Sequence, residues 1–105
     1  MRLILKKQKW IKFFFFKIID FIGKEKKIID ELINLNLSDG WSLSRLPKVQ
    51  LAILRVAVAE MMTYPKTSIG IIISEYIMFT ESFFTDKEFS FTNAILEKIY
   101  NKLNS

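Results

Sequence analysis

The sequence contains no cysteine and no histidine, and its 105 residues include only three glycines and two prolines. A chain without cysteine or histidine has no thiol nucleophile, no disulfide, no thiolate or imidazole metal ligand and no histidine general base. It also has no glycine-rich phosphate loop and no glycine-flanked serine that would give a carboxylate or a lysine a catalytic context. We therefore expect a protein that is not an enzyme and that binds no metal or cofactor.

Long apolar runs are missing as well. No segment reaches the roughly 18 apolar residues that span a bilayer, because Lys17 and Asp20 interrupt the apolar stretch near the start of the chain. No small-residue cleavage site follows that stretch, which argues against a signal peptide. We expect a cytoplasmic protein with no membrane partner.

The residues that are present favour a folded chain. Hydrophobic residues make up 50% of the sequence, aromatic residues 14% and charged residues 26%. This balance is typical of globular proteins and not of disordered ones. A chain of 105 residues forms one domain at most and buries a modest core.

The positive charge is concentrated at the amino terminus. Residues 1–27 carry nine Lys or Arg against two acids, a net charge of +7, whereas residues 28–105 carry seven against nine, a net charge of −2. Such a basic arm meets phosphate on nucleic acid or on a lipid surface, although a solvated helix face explains the charge equally well. Cations mixed with an aromatic residue are typical of single-strand binders and of membrane-surface helices. Here they are Lys6, Lys7, Lys9, Trp10 and Lys12.

Apolar residues recur at three- and four-residue steps in four segments, which predicts an all-α chain of short antiparallel helices. The first predicted helix covers residues 10–35, with a middle weakened by Gly23 and the lysines after it. The run NLNLSDGW is a strong loop signal. Pro47 is predicted to begin the second helix. Proline suits the first turn because the backbone N–H that it lacks would have no partner within the helix there.

The third and fourth predicted helices follow the breaks TYPKTS and FTDKEFS. The β-branched run IGIII is strand-like, but its apolar stripe continues at helical period, which favours a helix. The third stripe consists of Ile69, Ile72, Ile73, Tyr76, Ile77, Thr80 and Phe83. The fourth consists of Phe91, Ile95, Leu96, Ile99 and Leu103.

The second helix is apolar on nearly every side. Its polar residues Gln50, Arg55 and Glu60 point in three different directions at 100° per residue. A helix of this kind is buried by neighbours on several sides, so we expect it at the centre of a bundle. A charge in such a helix is costly unless it is paired.

Three segments resemble the carboxy-terminal part of the NusB family of transcription antitermination factors. They are WSLSRLPKVQLAILRVAVAEM, IGIIISEYI and FSFTNAILEKI. The family pattern is a Trp–Arg entry, an A-I-L-R-x-A-V-x-E helix, an I-N-E-A helix and a closing F-V-N-G-[IV]-L-[DE]-K helix. The resemblance covers residues 41 to about 103, is limited to IIDELI between residues 13 and 40, and is absent before that. The chain departs from the pattern at Ala59, Ser74, Tyr76 and Ala94.

The resemblance implies a NusB-like helical bundle that lacks the first helices of the family fold. Family members usually begin with an arginine-rich arm and two further helices, so either the true start lies upstream or KKQKWIK substitutes for the arm. Residues 1–12 would be a basic segment and residues 13–105 the helical domain. The implied function is binding of boxA-type RNA in ribosomal RNA transcripts, together with the NusE ribosomal protein, in the RNA polymerase antitermination complex.

The resemblance also implies RNA-binding residues. Phe91 matches a family aromatic associated with RNA, and an exposed ring there would stack on a splayed base, an interaction worth ~1–3 kcal/mol. The alternative is a core phenylalanine at the start of the fourth helix. Lys87 and Ser90, in the turn before it, would meet phosphate or sugar, or are simply solvated. Asn93, in the first helical turn, is interpreted as structural.

Two further pairs of polar residues follow from the same resemblance. Arg55 and Glu75 match the charges that the family keeps in its apolar helices, and we expect a buried ion pair between the second and third helices. The alternative for Arg55 is contact with RNA. Gln50 and Glu60 are predicted to contribute to a partner-protein face, or are merely solvated.

Other functions fit parts of the sequence. A helical protein-interaction or structural module that has lost RNA recognition would form a homodimer through residues 13–22, where FFFF would be exposed. NusB-like domains also precede some ribosomal RNA cytosine methyltransferases, but no catalytic domain follows here. A helix lying on a lipid surface is the remaining alternative.

Overall fold

The computed structural model describes the backbone of residues 2–105 and the side chains of residues 13–105. Within this range the chain forms four α-helices and one short 3-10 helix. Their bounds are α1 Arg2–Leu35, the 3-10 helix Leu43–Arg45, α2 Lys48–Thr63, α3 Ile69–Thr80 and α4 Asp86–Leu103. The predicted all-α class is confirmed. None of the helices in the described range has the length and apolar character needed to cross a bilayer.

Helix α1 is longer than predicted and is bent. It begins at Arg2, ahead of the predicted start at residue 10, and Glu25 has non-helical backbone angles (φ −117°, ψ 22°). The bend falls where the sequence predicts a weak middle, since Gly23 is a poor helix former and exposed lysines flank Glu25 on both sides. The helix therefore consists of two segments, and both contribute to the core, Ile18 from the first and Ile29 and Ile33 from the second.

Helix α2 is the central helix, as its all-round apolar pattern predicts. It packs against α1, α3 and α4. Leu54, Val58 and Ala59 are fully buried, and burying a leucine or valine side chain stabilises the fold by ~1.5–3 kcal/mol. The other helices complete the core with Ile18, Ile29, Ile33, Ile72, Ile95, Leu96 and Ile99.

The starts of α3 and α4 are fixed by side-chain caps. Ser68 accepts a hydrogen bond from the backbone N–H of Ile71. Thr85 and Glu88 form a capping box, in which each side chain accepts a hydrogen bond from the other residue's backbone N–H. Asp86 and Glu88 also place negative charge at the positive end of the α4 dipole.

The capping box corrects the predicted start of the fourth helix. The run FTDKEFS was interpreted as a turn, but α4 already begins at Asp86. Lys87 and Ser90 therefore lie on a helix and not in a loop. Asn93 lies well inside α4, where its Oδ1 accepts a hydrogen bond from the Tyr76 hydroxyl. Its role is structural as predicted, although it does not cap the helix.

Tyr76 anchors α3 to α4 through that hydrogen bond. Burial, and then the charge of Glu97, raise the pKa of Tyr76 to about 12. The phenol therefore stays neutral at physiological pH and remains a hydrogen-bond donor. The hydrogen bond from Tyr76 to Asn93 thus fixes the amino-terminal half of α4 against α3.

Candidate nucleic-acid interface

Two aromatic rings meet at the surface where the α1–α2 loop crosses α4. The ring centroids of Trp41 and Phe91 are 5.3 Å apart, and their planes are tilted by 53°. Trp41 is 47% exposed, whereas Phe91 is half-buried and packs against the core. Phe91 therefore contributes to the core as the alternative interpretation expects, while its predicted contact with RNA stays a prediction.

The loop that carries Trp41 is held by hydrogen bonds. Gly40 has a φ of +88°, which an L side chain rarely adopts, so a glycine suits this turn. The Trp41 backbone N–H donates to the Ser38 carbonyl at 3.0 Å. The Arg45 guanidinium donates to the Gly40 carbonyl at 2.5 Å, which closes the loop on itself.

Cationic and hydroxyl side chains lie close to the two rings. Lys87 is exposed one helical turn before Phe91 on the same stripe of α4, and Ser90 is exposed beside it. Arg45 is exposed at the end of the Trp41 loop. We call this surface the aromatic–basic face; it consists of Trp41, Arg45, Lys87, Ser90 and Phe91.

The aromatic–basic face contains only part of the predicted RNA-binding set. Lys87, Ser90 and Phe91 come together on α4, as predicted. The side chains of Lys6, Lys7, Lys9, Trp10 and Lys12 lie outside the described side chains. Sequence reasoning quoted Trp41 as a motif residue but gave it no role, because periodicity within helices cannot show that a loop residue meets α4.

Arg55 forms an ion pair with a different residue from the one predicted. Its Nε donates to Asp30 Oδ1 at 2.8 Å and its Nη2 to Asp30 Oδ2 at 3.0 Å. The hydrogen bond to Asp30 raises the pKa of Arg55 against the opposing effect of burial. The predicted pair of Arg55 with Glu75 is therefore wrong, because the guanidinium pairs with Asp30 and joins α2 to α1.

Glu75 lies instead beside Glu60. Glu60 is only 5% exposed, and burial, followed by the charge of Glu75 and a hydrogen bond to it, raises the pKa of Glu60 to about 7. A buried carboxyl next to a carboxylate retains a proton because two adjacent negative charges in a poorly solvated site are unfavourable. At pH values below about 7, Glu60 is therefore mostly protonated, next to the carboxylate of Glu75 on α3.

The predicted partner-protein face of Gln50 and Glu60 is not a surface. Gln50 is 6% and Glu60 5% exposed, so both side chains lie inside the bundle. Simple solvation, the alternative interpretation, is excluded for the same reason. A polar residue in an apolar helix indicates a special environment, but sequence alone does not show whether that environment is an interface or the interior.

The described residues offer little else that resembles a chemical site. No group of three or more carboxylates that could hold a metal occurs among them. An open depression between α2 and α4 is lined by Met61, Met62, Pro65, Leu103 and Asn104. It contains no charged side chain, and a second open depression, lined by Thr63, Tyr64, Pro65, Lys66, Thr67 and Ile71, contains one lysine. The aromatic–basic face, with two cations beside two rings, is the strongest candidate site in the described range.

The fold places the chain in the class of small all-helical bundles. A solved structure shares this fold. The structure of T. maritima NusB matches with a TM-score of 0.71 and 32% identity, over 81% of this chain and 59% of that one. The model of the NusB family matches residues 5–101. The chain belongs to the NusB family. The match begins at residue 5, so the resemblance extends further toward the amino terminus than the motifs indicated.

Curated relatives agree with this assignment. Transcription antitermination protein NusB of Bartonella henselae is 36% identical over 89 residues, which is 85% of this chain and 56% of that protein. The protein of the same name from Rhizobium etli is 33% identical over 91 residues, 87% of this chain and 57% of that protein. The chain thus spans less than two thirds of the length of the relatives that it matches.

Proposed function

We propose that the chain is an RNA-binding transcription antitermination factor. It would bind boxA-type RNA of ribosomal RNA transcripts together with the NusE ribosomal protein, within the RNA polymerase antitermination complex in the cytoplasm. It would do so without catalysis, metal or cofactor. The observation that carries the proposal is the contact between the exposed Trp41 and the half-buried Phe91 beside Lys87, in a chain of the NusB family.

The proposed mechanism combines charge with stacking. Lysines would capture the RNA backbone, because neutralising phosphates releases condensed counterions. Aromatic rings would then hold unpaired bases by stacking, which tolerates any sequence. Residues 1–12 are proposed as a basic segment that adds to this capture, beside a helical domain of residues 13–105.

NusE is proposed as a partner on the basis of family membership alone. Gln50 and Glu60 are buried, so they do not form the contact surface that was predicted for them. A NusE contact would use exposed residues elsewhere in the bundle. Substituting Gln50 or Glu60 would therefore alter NusE binding only through an effect on stability.

A salt titration tests the proposed function. Binding to boxA RNA and to a scrambled RNA of equal length is measured from low to physiological salt, with and without NusE. We expect boxA to bind more tightly, affinity to fall steeply with salt and NusE to strengthen the complex. A chain that is folded by circular dichroism but binds neither RNA in low salt would refute the proposal.

A second candidate function is favoured by one surface. Phe13, Phe15 and Phe16 on the outer side of α1 are each more than half exposed, and Ile19 beside them is exposed too. We call these four residues the outer aromatic patch. Contiguous apolar surface of this kind marks an interaction site, so a protein-interaction module that forms a homodimer is the alternative proposal.

A further inference from the structure

We propose that Trp41 is the residue on which an unpaired base of single-stranded RNA stacks, with Phe91 as its support. This inference rests on the proposed RNA-binding function and names the stacking residue within it. The resemblance pointed to Phe91 for this role, whereas the contacts of the two rings favour Trp41.

The relative orientation of the rings is the first argument. Their planes are tilted by 53°, so one flat base cannot lie parallel to both. Phe91 is half-buried against the core and offers only part of its ring. Trp41 leaves 47% of its surface exposed, and its indole is the larger platform. A stacked base would therefore lie on Trp41, while Phe91 fixes the indole from behind.

The rigidity of the loop is the second argument. The backbone N–H of Trp41 donates a hydrogen bond to the Ser38 carbonyl, and the Arg45 guanidinium donates one to the Gly40 carbonyl. A ring that is held before binding loses little conformational entropy when a base stacks on it. The exposed Trp41 is therefore preorganised for stacking by an RNA base.

The neighbouring charges are the third argument, because they distinguish Trp41 from other exposed rings. Phe79 is 76% exposed, but α3 carries no lysine or arginine. Each ring has an exposed acid two positions away, Glu81 for Phe79 and Asp39 for Trp41, so the difference lies in the cations. Trp41 and Phe91 instead lie next to Lys87, one turn away on α4, and Ser90 supplies a hydroxyl. The exposed rings of Phe13 and Phe16 also have a cation nearby, Lys17, but the Lys17 ammonium lies over the ring of Tyr64, 4.8 Å from its centroid.

This arrangement makes a specific statement about selectivity. Stacking recognises the flat face that every base has and not its hydrogen-bonding edge. Trp41 would therefore contribute equally to boxA RNA and to a scrambled RNA. Loss of the indole should weaken both complexes by the same factor and leave the ratio between them unchanged.

Fluorescence provides the test, because Trp10 and Trp41 are the two tryptophans of the chain. In a Trp10→Phe background Trp41 is the sole indole, and all comparisons are made within that background. Single-stranded RNA is titrated while indole emission and, independently, the anisotropy of labelled RNA are recorded. We expect emission to be quenched with the same saturation curve that anisotropy gives.

Substitutions then separate stacking from charge. We expect Trp41→Leu to weaken binding of both RNAs about 5- to 100-fold with an unchanged salt slope, and Trp41→Phe to retain most of the affinity. Lys87→Gln should instead reduce the salt slope. The matched control is Phe79→Leu, which removes an exposed ring elsewhere and should leave affinity unchanged.

The outcomes distinguish this inference from the function on which it rests. Full affinity in Trp41→Leu, or RNA binding without quenching, would overturn the role of Trp41 and leave the proposed function standing. Absence of RNA binding by the folded unsubstituted chain would overturn both. If Trp41→Leu fails to fold, quenching and the Trp41→Phe variant decide the question.

Discussion

Arg55 and Glu60 are both charged residue types on the same apolar helix, yet their surroundings are opposite. Arg55 meets the carboxylate of Asp30 in a bidentate pair, so its charge is compensated. Glu60 meets a second carboxylic acid, Glu75, and compensates by binding a proton. The two residues therefore respond differently to pH and to substitution.

Glu60 should make stability depend on pH. Its pKa is about 7 in the folded chain against an ordinary value of 4.5, so the folded state binds more protons between these values. The free energy of unfolding should then fall as pH rises from about 5 to about 7, by on the order of 1–3 kcal/mol, and change little above that. Urea unfolding at a series of pH values measures this.

Glu60→Gln is the matched variant for the pH experiment. Glutamine keeps a hydrogen-bond donor for Glu75 and does not titrate. We expect the variant to lose most of the decline between pH 5 and pH 7 and to be more stable than the unsubstituted chain at pH 8. A decline of unchanged size in Glu60→Gln would show that other groups cause it.

The Arg55–Asp30 pair should contribute measurably to stability. Asp30→Asn leaves the partly buried guanidinium without its carboxylate, and we expect a loss of ~1–3 kcal/mol in the free energy of unfolding. A double-mutant cycle with Arg55→Gln should give a coupling energy of at least ~0.5 kcal/mol. The same cycle between Arg55 and Glu75 should give a value near zero; the reverse result would restore the pair predicted from the sequence.

Residue partners were the least predictable part of this protein. The motif showed that Arg55, Glu60 and Glu75 are charges within apolar helices, but the partner of each depends on how every helix is rotated about its axis. Asp30 lies in the IIDELI segment, whose resemblance to the family was noted, yet nothing in its spacing pointed to α2. Trp41 escaped assignment for a similar reason, because its contact with Phe91 joins a loop to α4.

At the scale of elements, periodicity predicted all four helices, and the errors were at their ends. The apolar stripes of α3 and α4 are long enough to determine helix type. The run FTDKEFS was interpreted as a turn, although α4 begins inside it at Asp86. Threonine followed three residues later by glutamate is also the signature of a capping box, and that signal in the sequence would have placed the start of α4 correctly.

Thr85→Ala should destabilise the chain through the capping box. The alanine cannot accept the hydrogen bond from the Glu88 N–H, and loss of such a cap costs ~0.5–2 kcal/mol. Chemical denaturation followed by far-ultraviolet circular dichroism measures the change. Ser82→Ala, at an exposed position in the preceding turn, is the control and should change stability by less than ~0.5 kcal/mol. Equal effects of the two substitutions would refute the role of the cap.

At the scale of the whole molecule, the outer aromatic patch should govern self-association. Phe13→Gln combined with Phe16→Gln removes two rings that are more than half exposed, at little cost to the core. We expect the double variant to be monomeric at concentrations where the unsubstituted chain associates, as measured by sedimentation velocity. Phe79→Gln, which alters an exposed ring away from the patch, should leave association unchanged. Equal association of all three proteins would exclude the patch as the interface.

The family and the fold class could be predicted from the sequence because motif order and apolar period are properties of the chain alone. The sequence did not predict which of the side chains of FFFF, Gln50 and Glu60 are exposed and which are buried. Whether FFFF is covered, and whether Gln50 and Glu60 face outward, depends on how the elements pack and on what each one leaves uncovered. The structure resolves these questions by placing Gln50 and Glu60 inside and the outer aromatic patch outside.

The bend at Glu25 has a consequence for how the chain is degraded. Its non-helical angles distort the backbone of α1 among the exposed residues Lys24, Lys26 and Lys27. A protease with trypsin's specificity cleaves after lysine and needs a locally extended strand of substrate, which intact helices resist. The bend should therefore be the first point of cleavage. Limited digestion after Lys24 would then release residues 1–24 from a carboxy-terminal bundle that keeps the buried residues Ile29 and Ile33 of α1.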